Sequence, residues 1–182
     1  MYQGKNPSAR RSQIWLVQAL LELMQEKPYS KISIKELTER SDLSRQTFYQ
    51  VFQSKEEIIE YHLDCLFEKY LQEIQNLKIS STEGLAKIVF SFARQNETFI
   101  RALIANDLTG ILNRKMQLYM DEVRIAVDGE RQITFNDYAS AFICAGLVGI
   151  LVYWFEKKKG MELEELAGLV GNLLNESYLR EI

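Results

Sequence analysis

Between positions 45 and 50, five residues, Arg45, Gln46, Thr47, Tyr49 and Gln50, can each donate a hydrogen bond, and none is acidic. Arg and Gln side chains pair bidentately with the major-groove edges of guanine and adenine, and hydroxyls reach phosphate oxygens. At helical spacing Phe48 and Val51 or Phe52 turn inward and leave those five on or near the outer surface. The chemistry within reach is recognition of double-stranded DNA. An exposed polar helix in an unrelated bundle is the rival reading of the same residues. The chain has one His, two Cys and no phosphate-cradling glycine loop. It also lacks a nucleophile–base signature and a metal-spaced ligand cluster, so no enzyme, cofactor or metal site is expected.

Such a helix must be held at an angle to its neighbours. Ser33 and Glu36 have the spacing of a capping box, which opens a helix with Ile34 and Leu37 on its inner edge. Asp42 and Leu43 break the pattern. Ser44 can cap a second helix, Arg45–Phe52, and Ser54 with Glu57 repeats the capping spacing for a third. Three helix starts so close together force short, sharply angled elements, which is how a helix-turn-helix is built. Lys55 stands at the start of the third, where exposed N–H groups favour an anion. Arg45 and Gln46 are expected to read bases, with Gln50 beside them, Ser33, Thr47, Tyr49 and Lys55 to hold phosphates, and Ser44 to belong to the same DNA-binding surface.

The stretch SRQTFYQVFQSKEEI resembles the recognition-helix signature of the TetR (tetracycline-repressor) family of bacterial regulators. Ser44, Phe48, Tyr49, Phe52, Lys55, Glu56 and Glu57 stand at the places of that pattern. Upstream, Leu16, Ala19, Leu20, Leu23, Met24, Tyr29, Ile34 and Leu37 match its apolar positions. The match covers roughly the first third of the chain and keeps its spacing across four helix starts. Two residues depart from it: Pro28 and Asp42 stand where the family usually has Gly. Asp tolerates a left-handed backbone better than most residues, so the turn is expected to survive. The C-terminal half is similar to the branch that includes the dihydroxyacetone-kinase activator-like regulators.

The formal charge is −3 over 182 residues, and 47% of them are hydrophobic, which excludes a disordered chain. Residues 1–53 hold eight Lys/Arg and five Asp/Glu, whereas residues 54–182 hold fourteen and twenty. A mildly basic head on an acidic body confines DNA attraction to one end. Cys65 and Cys144 read as reduced thiols in a cytoplasmic protein. Arg10-Arg11 before IWLVQALLELM mimics a signal peptide, but Gln18 and Glu22 interrupt it and no cleavage site follows. Tyr138–Phe155 is nearly long and apolar enough to span a membrane, yet Ala139, Ala141, Ala145, Gly146 and Gly149 dilute it. A buried helix meeting a partner helix looks the same, and no membrane partner is expected.

In chain order, a first helix runs from Ser8 to about Glu26 and stops before Pro28. Arg10 and Arg11 in its first turn suit either DNA phosphate or solvent. After the Ser33–Phe52 unit come Lys55–Ile74, Thr82–Arg94, Glu97–Ala105, Thr109–Val127, Phe135–Lys158 and Glu162–Asn175, with breaks at Leu77–Thr82 and Asp128–Glu130. His62 on the fourth helix reads as a packed residue. The expected fold is all-α, about nine helices: a helix-turn-helix head, 1–53, and a larger helical body, 54–182, for effector binding and dimerisation.

The last two helices carry more apolar surface than one small domain needs. Gly146 and Gly149 permit close helix approach beside Tyr153, and Leu166, Leu169, Val170 and Leu173 form a second stripe. A two-fold four-helix interface follows, and the resemblance implies the same homodimer. The resemblance further implies a ligand cavity among the middle helices. Phe67, Tyr70, Phe90, Phe92, Phe99, Met116, Tyr119 and Trp154 are candidates for its wall, with Arg94 and Arg101 nearby as polar anchors; the competing role for each is plain core. The reading is a DNA-binding transcription regulator, a ligand-responsive repressor with a DNA operator and an unknown small-molecule effector as partners. A module whose body binds another regulator protein, acting as a co-activator, is the alternative.

Overall fold

The computed structural model describes residue 4 and residues 6–74, 81–127, 137–157 and 160–174. Among them the chain forms α-helices and one 3-10 turn, with no strand. Helix α1, Pro7–Glu26, is opened by the Asn6 side chain, which accepts the N–H of Ser8 at 2.9 Å, and by a proline in its first turn. Its apolar stripe, Leu16, Ala19, Leu20, Leu23 and Met24, is wholly buried. The helix ends at Lys27, whose extended backbone suits a residue before proline. A 3-10 turn, Tyr29–Lys31, follows Pro28; apolar periodicity carried no sign of it.

Helix α2, Ile34–Arg40, starts with the expected capping box. Ser33 Oγ accepts the N–H of Glu36, and the Glu36 carboxylate accepts the N–H of Ser33 at 3.0 Å. Asp42 takes φ 53 in the turn that follows, the left-handed conformation a glycine would otherwise supply. Helix α3, Arg45–Val51, is capped by Ser44 and stops where Phe52 turns extended, one residue short of the expected end. Phe48 and Phe52 are fully buried under it against α1. Helix α4, Lys55–Ile74, runs from this head into the body.

The body consists of α5 (Thr82–Gln95), α6 (Glu97–Ala105), α7 (Thr109–Val127), α8 (Asp137–Glu156) and α9 (Leu163–Leu174). Helix α5 packs along α9, and α7 lies between α4 and α8. Most of the inter-helix break 77–82, the turn at 128–130, the ends expected at Phe135 and Asn175, and Lys158 lie outside the described residues. Helix α8 is long and apolar enough to cross a membrane by length and composition alone, and 39% of that stretch is buried within the fold. Cys65 is exposed on α4 and Cys144 buried on α8.

One expectation about the last helices is corrected. Leu166 and Val170 do not face outward; they are 4% and 2% exposed and belong to the protomer's own core with Leu163 and Ala167. The reason is the tight seating of α9 on α5. A Cβ placed on Gly171 would stand 2.8 Å from the Cβ of Glu83, so the helix backbones meet almost directly. Leu169 is left half-buried and Leu173 exposed. On α8, Gly146, Gly149 and Tyr153 do face outward, in line with Tyr138 and Phe142. A Cβ on either glycine would meet nothing within 4 Å.

Candidate nucleic-acid interface and effector cavity

The short helix α3 owes its exposure to its caps and to its packing. Ser44 Oγ accepts the N–H of Thr47 at 3.0 Å and lies 2.9 Å from its hydroxyl, fixing the first turn. Phe48 anchors the inner face, with the Tyr49 ring edge-on to it at 5.2 Å. Arg45, Gln46, Tyr49 and Gln50 are then exposed together, and Thr47 is half-buried at their edge. The surface offers guanidinium, amide and phenol donors. Arg45 makes no ion pair among the described residues, so its fork of donors is not already occupied.

Three residues assigned to this surface have other work. Ser33 donates its hydroxyl to the Glu36 carboxylate at 2.8 Å and accepts from the Glu36 N–H, so it acts as a cap. Ser44 is likewise a cap. Lys55 departs most from the expected phosphate contact. Its Nζ donates to the carbonyl oxygens of Tyr29 at 2.9 Å and Ile32 at 2.6 Å, and sits 4.3 Å from the centre of the Tyr29 ring. Burial there pushes the ammonium below its ordinary range. The Tyr29 carbonyl also accepts the Ile32 N–H that closes the 3-10 turn at 3.1 Å, so Lys55 adds a second donor there and binds the Ile32 carbonyl just beyond the turn.

Several other head cations are paired across helices. Arg40 forms a bidentate pair with Glu26 of α1 at 2.8 and 2.9 Å, and holds that carboxyl below its usual range. Lys27 bonds Glu36, and together with the Ser33 groups it lowers the Glu36 carboxyl to about 2. These pairs brace α1 on α2 and leave Arg45 as the cation of the α3 surface.

The head joins the body through more than α4. Asn106, where α6 ends, accepts the backbone N–H of Tyr29 at 2.6 Å and donates to Ala102 O at 2.9 Å. Asp107 beside it has φ 57, which turns the chain sharply into α7. His62 on α4 lies edge-on to Phe99 of α6 at 4.6 Å, and burial lowers its imidazole.

A cavity of about 50 Å³ lies between α4, α5 and α7. Its wall is formed by Leu63, Phe67 and Tyr70 of α4, by Leu85, Ile88, Val89, Phe92 and Ala93 of α5, and by Leu112, Met116 and Tyr119 of α7; Ile100 and Leu151 close it. Of the expected wall residues, Phe67, Tyr70, Phe92, Met116 and Tyr119 are present. Phe90 and Trp154 instead pack on each other in the core, with ring centres 6.1 Å apart. Phe99 is held against His62, and Arg94 is exposed on the surface of α5. Arg101, the other cation near these aromatics, donates to Phe155 O at 3.2 Å and closes the end of α8. Aromatic type alone does not separate a cavity wall from the core beside it.

Both cavity tyrosines have hydrogen-bonded hydroxyls. Tyr70 donates to Ile88 O at 3.0 Å. Tyr119 stacks flat on Phe67, ring centres 3.7 Å apart, and its hydroxyl donates to the Asp64 carboxylate. Lys115, one turn back on α7, bonds both Asp64 oxygens at 2.7 and 2.8 Å. This cluster ties α7 to α4 beside the cavity mouth, and neither Asp64 nor Lys115 had been marked by its sequence pattern.

Residues 16–61 match the family model described as bacterial regulatory proteins, tetR family. Among characterised proteins, the HTH-type dhaKLM operon transcriptional activator DhaS of Lactococcus lactis is 21% identical over 163 residues, 87% of this chain and 86% of that one. Among solved structures, the Listeria innocua protein Lin0861 superposes with a TM-score of 0.79 at 15% identity, covering 96% of this chain and 95% of that chain. A TetR transcriptional regulator from Streptococcus agalactiae gives 0.64 at 20% identity, covering 91% and 94%. The likeness in shape extends over head and body, while the family match lies in the helices that carry α3.

Proposed function

We propose that the chain is a DNA-binding transcription regulator of the TetR family, a reading supported by the match of residues 16–61 to that family's model, and that it binds an operator as a homodimer and releases it when a small molecule enters the body. The observation that carries this reading is the α3 surface, with four exposed donor side chains on a capped helix seated by Phe48. Each protomer would place α3 in a major groove, at half-sites about one helical turn apart or at a related spacing. Arg45 and Gln46 read bases, Gln50 lies beside them, and Thr47 and Tyr49 contact phosphate.

The pairing surface is the outward face of α8, Tyr138, Phe142, Gly146, Gly149 and Tyr153, continued by Leu169 and Leu173 of α9. Glycines with open space above them let a second helix approach closely. The effector site is the cavity between α4, α5 and α7, and the cytoplasm is the compartment this requires. Release of DNA needs the effector to favour the released state by roughly 3 kcal/mol, about a hundredfold. Activation is the second reading, supported by the likeness to the Lactococcus lactis relative, an operon activator.

The deciding experiment is fluorescence-anisotropy titration of the DNA flanking the protein's own gene against a scrambled duplex, at two salt concentrations. A preference of about a thousandfold with a steep salt slope is expected. Equal, weak binding to both duplexes, and to a genomic library by selection, would overturn the reading. A reporter driven by the selected site then separates repression from activation.

A further inference from the structure

We propose that the cavity between α4, α5 and α7 takes an uncharged, apolar effector, and that admitting it opens the contact between Tyr119 and Asp64. The inference rests on the reading of the body as a sensor and specifies what it senses. The wall consists of aliphatic and aromatic side chains, and the hydroxyls of its two tyrosines have protein partners. The cations that might have neutralised an acidic ligand are elsewhere. Arg94 is exposed, Arg101 holds the end of α8, and Lys115 bonds Asp64 through both carboxylate oxygens. The Asp64 carboxylate is in turn matched by Lys115 and Tyr119, so it offers no unpaired charge to a cationic ligand. An ion entering this space would lose its hydration without gaining a partner.

The size of the cavity adds the second element. About 50 Å³ is well below the roughly 150 Å³ of an engineered apolar cavity that admits benzene. An effector must therefore displace part of the wall. Phe67, Tyr70 and Ile88 are buried, whereas Leu85, Val89 and Phe92 of α5 and Met116 and Tyr119 of α7 are half-buried. Met116, packed against the core, is unbranched and flexible and can repack in place. Tyr119 cannot leave its stack on Phe67 without loosening its bond to Asp64. Asp64 is on α4, whose first residue, Lys55, holds the head's 3-10 turn. Occupancy of the cavity is thus read by the helix that carries the head.

The test uses three probes of one shape, 1-octanol, octanoate and octylammonium, titrated into the full chain and followed by calorimetry and thermal shift. Octanol should bind, with octanoate and octylammonium at neutral pH weaker by about a hundredfold or more. Octanoate should gain affinity as the pH falls towards about 4.5, where its neutral form accumulates. Tyr119→Phe keeps the ring and removes the bond to Asp64, and should tighten octanol binding severalfold. Met116→Phe at the mouth and Ala93→Leu in the wall should each abolish it, and Met116→Phe covers the case in which Ala93→Leu fails to fold. Equal binding of octanoate and octanol at neutral pH overturns the proposal. So does octanol binding that survives the filling variants, or the absence of octanol binding by both native chain and Tyr119→Phe. Operator affinity is measured on the same samples. Specific DNA binding with any of these failures leaves the regulator reading standing, whereas loss of specific DNA binding alone strikes that reading.

Discussion

Asn106, at the end of α6, accepts the backbone N–H of Tyr29, in the head, at 2.6 Å. The carbonyl of the same Tyr29 accepts from Lys55 at the start of α4. One peptide neighbourhood of the head is therefore gripped by the body from two directions. Asn106→Ala would leave the Tyr29 N–H without its partner and should cost about 1–3 kcal/mol of stability. Asn106→Asp keeps the accepting oxygen but loses the donor to Ala102 O, and should recover part of the loss. Urea denaturation of both variants checks this, and equal destabilisation by the two would show that the bond to Tyr29 is not the cause.

Arg45 and Lys55 should separate cleanly in binding assays. Arg45→Ala is expected to cost about 1–3 kcal/mol on the cognate duplex and much less on a random one, because base contacts specify while phosphate contacts position. Lys55→Met removes the donor to Tyr29 and Ile32, and should lower the unfolding midpoint while leaving the salt slope of DNA binding nearly unchanged. A salt slope reduced by about one in Lys55→Met would restore Lys55 as a phosphate contact.

Glu36 makes acid stability testable. Its carboxyl is lowered from 4.5 to about 2 by Lys27 and the Ser33 groups. The unfolded chain binds the proton first, so the Glu36 contribution is present above 4.5 and is lost as the pH falls through about 2. In Glu36→Gln, stability should therefore decline less steeply over that interval than in the native chain. Parallel pH slopes for the two proteins would contradict the assignment.

Two glycines should behave oppositely. Gly149→Leu meets open space within the protomer and gains helix propensity, so the single chain should keep its fold. The proposed dimer should dissociate at much lower dilution in this variant by sedimentation velocity, and operator affinity should fall with it. Gly171→Ala places a methyl 2.8 Å from the Glu83 Cβ and 3.1 Å from its Cα, so α5 and α9 must part. A loss of about 1–3 kcal/mol is expected in spite of the better helix former. A Gly149→Leu dimer as tight as the native one would remove α8 from the interface.

The head was legible because its signals are local. A capping box lies within four residues, and the donor cluster of α3 follows from residue type and helical spacing alone. The left-handed turn at Asp42 could be anticipated for the same reason. What failed required partners distant in sequence. The role of Lys55 depends on the carbonyls of Tyr29 and Ile32, brought together by a 3-10 turn that follows Pro28, and hydrophobic periodicity does not register a single such turn. The apolar stripe of α9 was visible, but a stripe does not state which surface it meets, and Leu166 and Val170 meet α5. In the body, Phe67 and Tyr119 line a cavity while Phe90 and Trp154 fill the core, a distinction made by packing. Asp64 and Lys115 are 51 residues apart in sequence, beyond any motif.

The outward face of α8 leaves Tyr138 88% exposed, Phe142 75% and Tyr153 62%. Under the proposed pairing, such a face makes gene dosage count twice. Newly made chains are sticky and inactive while scarce, and the supply of paired molecules rises with the square of their concentration until pairing saturates. A switch built from this chain would ignore small leaks in its own synthesis and respond steeply once a threshold is passed.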